Sequence, residues 1–195
     1  MIIGLTGKTG SGKTTAALLL EENGFFICDT DKIARDILSP SSDVLYRVCE
    51  VFGTDIVKNG VLDRKLLAKR AFKDAESTEK LNNLTHPAIL EKSFSQIDLA
   101  LSHGYEFAVL DAPALFESGA DKRCDFIVTV AAPESVRLAR ILERDNITLS
   151  QAEERIKAQK EDGFYTDRAD FVIINDGKRD MGEQIQKLIA LLKNR

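Results

Sequence analysis

Residues 4–14 read "GLTGKTGSGKT". Within them, Gly7-Lys8-Thr9-Gly10-Ser11-Gly12-Lys13-Thr14 satisfies G-x-x-x-x-G-K-[ST] at every position. The short apolar run "IIGL" (2–5) comes before, and a helical pattern with "AALLL" runs to about Glu22. A strand leading through a glycine-rich turn into a helix is the context in which this spacing means a phosphate-binding loop. Glycines let the backbone turn its N–H groups inward onto phosphate oxygens, and the helix N-terminus adds partial positive charge. Lys13 supplies a full charge to the β- and γ-phosphates, and the Thr14 hydroxyl is a magnesium ligand. The nucleotide-contacting set expected here is Gly7, Thr9, Gly10, Ser11, Gly12, Lys13, Thr14 and Thr15.

The rest of the chain agrees with a nucleotide-binding α/β domain. Further strand patterns occur at 25–29 ("FFICD"), 106–111 ("EFAVLD"), 126–131 ("FIVTVA") and 171–174 ("FVII"). Helical patterns fill the intervals: 31–38, 41–52, 63–101 with a break at His86-Pro87, a helix opening near Pro133, 148–160 and 180–193. Thr148 and Gln151 have the spacing of a capping box, and Asn59-Gly60 marks a turn. Four of the five strands are continuous apolar runs, which is how a parallel sheet covered on both faces reads. The expected architecture is a P-loop NTPase/kinase fold. It has a five-stranded parallel sheet, a helical substrate-binding lobe at about 36–103 and an arginine-bearing lid at about 137–167. The core is expected at about 1–35, 104–136 and 168–195.

With 195 residues, 44% of them hydrophobic, the chain can build one domain or one core with an inserted lobe. With a net charge of -4, nothing in the chain resembles the basic stripe of a duplex-binding protein, although local arrangement still permits an anionic ligand. Cys28, Cys49 and Cys124 form no metal-like spacing with His86 and His103, so reduced thiols are expected. "MIIGLTG" lacks the basic region of a signal peptide. No apolar run nears the roughly 20 residues that span a bilayer. A soluble, cytoplasmic protein is expected, acting on small molecules as a monomer or weak homo-oligomer, without nucleic-acid or membrane partners.

Three groups could supply chemistry beyond phosphate binding. Asp111, ending the strand "FAVLD", stands at a Walker-B-like position, where it can hold magnesium, cap the next turn, or do both. Asp29 and Asp31, in "CDTDKIARD", can bind a metal, cap a helix or take a proton from a hydroxyl acceptor. Arg137, Arg140 and Arg144 share one helical face about 60° wide, at about 100° per residue. They suit a lid closing on a triphosphate, or a solvated face laced with Glu134 and Glu143. The chain has no Asn-Lys-x-Asp guanine reader, so a switch GTPase is disfavoured.

Taken together, these segments resemble the dephospho-CoA kinase family along the whole chain. After the P-loop, "DTDKIAR", "FGTDIVKNGVLDRKLLAKRAF", "LNNLTHPAI", "VLDAPALFE", "RLARILERD", Gln159 and "ADFVIINDG" follow in the family's order and spacing. Thr30, Ala114 and Arg137 stand where Ala, Leu and Gln are common in that family, and "EDGFYTDRAD" is less basic. The resemblance implies transfer of the ATP γ-phosphoryl to the ribose 3′-hydroxyl of dephospho-CoA, with ATP and Mg2+ required. It implies Asp31 as the base, acting with Lys13 and Arg140 in catalysis. Asp31, Arg35, Arg64 and His86 are then on the acceptor side, Arg144 on ATP, and Thr14 and Asp111 on magnesium. His86 could instead fix its His-Pro turn, and Arg64 could pair with Asp63. Asp29 is left as a positioning or capping group.

Overall fold

A computed structural model describes residues 1–40 and 42–195. The chain divides into two compact units, Met1–Cys28 with Leu99–Arg195, and Asp29–Asp98.

The first unit holds a five-stranded sheet. In chain order its strands are β1 (Ile2–Gly7), β2 (Phe26–Asp29), β5 (Ala108–Asp111), β6 (Phe126–Ala131) and β7 (Phe171–Ile174). They lie side by side as β2-β5-β1-β6-β7. β1 runs parallel to β5, with Leu5 opposite Asp111, and parallel to β6, with Gly7 opposite Val130. The apolar run 2–5 reads as a central strand because it is wanted on both faces. Ile3 and Leu5 are fully buried on one face, together with Val109, Val128 and Val130. Small residues let helix α1 (Lys13–Glu22) come close, through Ala16, Ala17 and Leu20. Helix α9 (Met181–Lys193) adds Ile185, Leu188, Ile189 and Leu192 to the same cluster. Full burial of one such aliphatic side chain stabilises by about 1.5–3 kcal/mol. Gly4 faces the other way. A Cβ there would sit 2.8 Å from Leu115 Cδ2 and 3.0 Å from Cys124 Sγ, so glycine lets the segment after β5 pack on the sheet.

The same unit carries a helical hairpin with its own small core. Helices α6 (Glu134–Asp145) and α7 (Leu149–Lys157) bury Ile141, Ala152 and Ile156. Asn146, at φ 49°, ends α6 in the left-handed conformation open to asparagine. The capping box forms: Thr148 Oγ1 accepts from the Gln151 N–H at 3.3 Å, and Gln151 Oε1 accepts from the Thr148 N–H at 3.0 Å. The helix expected over 148–160 is shorter, since α7 ends at Lys157, and a separate helix, α8 (Asp162–Thr166), follows beyond that span.

The second unit is mostly helical: α2 (Thr30–Asp36), α3 (Asp43–Phe52), α4 (Arg64–Ala71) and most of α5 (Ala75–Ser102). The start expected for α3 at residue 41 lies outside the described residues. Between α3 and α4 a two-stranded hairpin forms, β3 (Val57–Lys58) and β4 (Val61–Leu62). Asn59 and Gly60 both take positive φ, 51° and 77°, as a tight turn matched to strand twist requires. Arg70 holds this corner, donating to the Phe52 carbonyl at 2.6 Å and to both carboxylate oxygens of Asp55.

One expectation fails. The helix does not break at His86-Pro87, since α5 runs 28 residues through Pro87. Proline removes one N–H, the one that would donate to the Asn83 carbonyl, while its fixed φ suits a helix. Both Asn83 and Pro87 are exposed, so water can serve that carbonyl.

Candidate active site

β1 ends where the glycine-rich loop begins, at the carboxyl edge of the sheet, where open α/β sheets bind ligands. The loop is shaped by backbone bonds and by two close approaches. The Ser11 N–H donates to the Lys8 carbonyl at 3.0 Å, and the Ala16 N–H to the Gly12 carbonyl at 3.1 Å. Gly10 and Gly12 sit at φ +77° and +97°. A Cβ on Gly10 would lie 2.7 Å from the Arg137 carbonyl oxygen, and one on Gly12 would lie 2.1 Å from Asn175 Nδ2. Helix α1 starts at Lys13, and no side chain caps its N-terminus. Its first N–H groups are thereby kept for an anion. Thr14 and Thr15 are exposed on that first turn.

Lys13 Nζ is paired with Asp111 Oδ1. Both side chains are largely buried, 15% and 10% exposed, so this is a pair of charges removed from bulk water. The strand register contributes, since Asp111 ends β5 opposite Leu5, two residues before β1 runs into the loop. Beside the two roles left open for Asp111, the structure shows a third: its carboxylate is the counter-ion of the loop lysine.

The three arginines of α6 separate in environment. Arg137 is 1% exposed; its Nε donates to the Ala132 carbonyl at 3.2 Å and its guanidinium lies 4.0 Å from Glu134. Burying it removes it from a solvated face. Arg140 reaches the outside of the phosphate loop. Its Nη1 donates to the Gly10 and Ser11 carbonyls, both at 3.2 Å, and its Nη2 to Asn175 Oδ1 at 3.0 Å. Arg144 stays exposed and makes a forked pair with Asp145, at 2.7 and 2.8 Å. That guanidinium, helped by Arg155, holds the Asp145 carboxyl below the usual carboxylate range.

Side chains from 159–162 grip the loop's other end. Gln159 Oε1 accepts from the Thr9 N–H at 3.0 Å, and Asp162 pairs with Lys8 at 2.8 Å. Asp162 and Asn175 escaped motif reasoning. The signals for Asn175 were its place one residue past the last strand, at the sheet's carboxyl edge, and its position inside the family-like segment "ADFVIINDG". Nearby, burial and Glu117 push the Tyr165 hydroxyl up to about 12.

In the second unit, Asp29 and Asp31 take different parts. Asp29 caps α2, its Oδ1 accepting from the N–H groups of Asp31 at 2.8 Å and Lys32 at 3.1 Å. With Asp29 acting as the cap, Asp31 lies exposed in the first helical turn. Arg64 does not pair with Asp63, which instead caps α4 through the Leu66 N–H at 2.9 Å and lies 3.5 Å from Lys58. Arg64 Nη2 donates to the Arg35 carbonyl at 3.1 Å, so those two residues are adjacent. His86 is half-buried midway along α5.

The fold and the phosphate loop define the class. The structure is similar to shikimate kinase from Acinetobacter baumannii, with a TM-score of 0.56 at 15% identity, covering 99% of this chain and 93% of that one. The protein thus has the fold of the small P-loop kinases. Within that class, the family model described as dephospho-CoA kinase matches residues 1–180. A protein named dephospho-CoA kinase from Corynebacterium glutamicum is 41% identical over 195 residues, covering 99% of this chain and 98% of its own. The solved structure of dephospho-CoA kinase from Campylobacter jejuni superposes with a TM-score of 0.72 at 28% identity, covering 98% and 96% of the two chains. This chain belongs to the dephospho-CoA kinase family.

Proposed function

We infer that the protein transfers the γ-phosphoryl group of ATP to the ribose 3′-hydroxyl of dephospho-CoA, giving CoA and ADP, the last step of CoA biosynthesis. The family match over residues 1–180, with the phosphate loop inside it, carries this reading. Incubation with ATP and dephospho-CoA, with the products resolved by mass spectrometry, tests it. The expected product is one phosphoryl group heavier than the acceptor. Unchanged dephospho-CoA beside a fully folded enzyme would overturn it.

The residues divide the work as follows. The Lys13 ammonium and the inward N–H groups of the loop neutralise the phosphates. Thr14 and Asp111 offer a hydroxyl and a carboxylate, the hard oxygen donors that suit magnesium. Bound there, magnesium would supply positive charge that offsets the charge developing on the transferring phosphoryl group. Asp31 accepts the proton of the 3′-hydroxyl as its oxygen bonds to phosphorus and ADP leaves, then returns that proton to solvent. Arg35, Arg64 and His86 hold the acceptor, and Arg140 and Arg144 act from the lid region at about 137–167. Asp31's exposure and the capping of its helix by Asp29 support this assignment, since a base must be reachable and held in place.

We place the reaction in the cytoplasm, with the protein a monomer or weak homo-oligomer. Its partners are small molecules, with neither nucleic acid nor membrane among them. The acidic charge and wide cysteine spacing support this. No helix among the described residues is long and apolar enough to cross a membrane.

A further inference from the structure

We propose that Asn175 is a positioning residue for the phosphate loop, and that it acts by fixing the Ser11–Gly12 peptide. The inference deepens the kinase reading above and rests on it. Asn175 closes a triangle of hydrogen bonds. Its Nδ2 donates to the Ser11 carbonyl at 2.8 Å, and its Oδ1 accepts from Arg140 Nη2 at 3.0 Å. Arg140 Nη1 donates to the same Ser11 carbonyl at 3.2 Å. A carbonyl oxygen has two lone pairs, and these two donors fill them.

The consequence follows from peptide geometry. Among the described residues there is no cis peptide bond. In a trans peptide the C=O and the following N–H point in opposite directions across one plane. Holding the Ser11 carbonyl outward therefore turns the Gly12 N–H the other way, toward the inside of the loop, where a phosphate oxygen needs a donor. The Gly10 carbonyl, held by Arg140 at 3.2 Å, is anchored on the same outer side. Asn175 can do this only because residue 12 is glycine, since any Cβ there would lie 2.1 Å from its Nδ2. Gly12 thus has two reasons to be glycine: its φ of +97° and the approach of this amide.

The amide is also the one side chain of its shape that serves both neighbours. An aspartate at 175 keeps the acceptor toward Arg140 but turns an anionic oxygen toward the Ser11 carbonyl, repelling the peptide it should hold. An alanine releases both.

Asn175→Ala and Asn175→Asp test the proposal, with ATP binding measured by calorimetry without acceptor. Steady-state constants for both substrates and melting temperature accompany it. We expect ATP affinity to fall about tenfold in the alanine variant, the loss of one or two net hydrogen bonds, and further in the aspartate variant. The KM for dephospho-CoA should stay within about twofold, and melting within a few degrees. ATP affinity within about twofold of wild type in the alanine variant overturns the proposal. So does a parallel loss of affinity for both substrates together with a lower melting temperature, which marks general loosening. If the wild type binds ATP but leaves dephospho-CoA untouched, the kinase reading fails, and the ATP-binding comparison still decides the role of Asn175.

Discussion

Lys13 and Asp31 each follow the carboxyl end of a strand, at the start of a helix, yet they are built on opposite terms. Lys13 is 15% exposed, paired with Asp111, and sits in a loop whose carbonyls and N–H groups are held by Arg140, Asn175 and Gln159. Asp31 is exposed, with its backbone N–H donating to Asp29. The proposed phosphate side is a cradle whose backbone is held in place by many second contacts. The proposed acceptor-side residues are separate side chains on helices, fixed by caps and by single bonds such as Arg64 to the Arg35 carbonyl. Substitutions on the two sides should therefore fail in different ways.

The largest expected effect is on the phosphate side. Lys13→Ala removes the charge aimed at the transferring group, and turnover should fall by at least about a thousandfold, with ATP affinity weakened as well. Retention of a tenth of the activity would break the comparison. Asp31→Asn comes next. Loss of a general base costs about 10²–10⁴ in turnover, while calorimetric ATP affinity should stay within about twofold. Full activity would remove Asp31 as the base. Arg64→Ala should raise the KM for dephospho-CoA about tenfold, the scale of one charge-assisted bond, and spare the KM for ATP. Equal effects on both substrates would place Arg64 elsewhere.

Asp29 sharpens the contrast further. Asp29→Ala removes the cap of α2 and should cost about 1 kcal/mol of stability, with turnover reduced less than tenfold. Asp29→Asn keeps a capping oxygen and should behave as wild type in a thermal melt. A loss in Asp29→Asn as large as in Asp31→Asn would mean that Asp29 also handles the proton.

The smallest effect is pH dependence of stability. Asp55, Asp63 and Asp74 have carboxyls held below their ordinary range, by Arg70, by the Leu66 N–H and by the Ser77 N–H respectively. A lowered carboxylate contributes stability that is complete above its unfolded pKa of about 3.9 and is lost as pH falls through the lower folded value. Melting temperature should thus be flat from pH 7 to 5 and drop below about pH 4. A drop centred between pH 7 and 5 would point to other groups.

What was legible in the sequence follows the same division. The phosphate loop is contiguous, so spacing alone located it, and the apolar strands around it located the sheet. Arg137 looked like its neighbours on the helical face because periodicity reports a direction and not what waits there, and in the structure it is buried. Pro87 looked like a helix end, but its exposed surroundings let the helix continue. Asn175 lies 163 positions after Gly12 in the chain, so nothing local could pair them. The acceptor-side residues carry no motif of their own and were readable only through the family's order of segments.

A coupled ADP-release assay tests the central claim most directly, with dephospho-CoA set against a panel of nucleosides and nucleotides. ADP formation should require dephospho-CoA and match the CoA produced mole for mole. ADP release with a nucleoside, and none with dephospho-CoA, would contradict it.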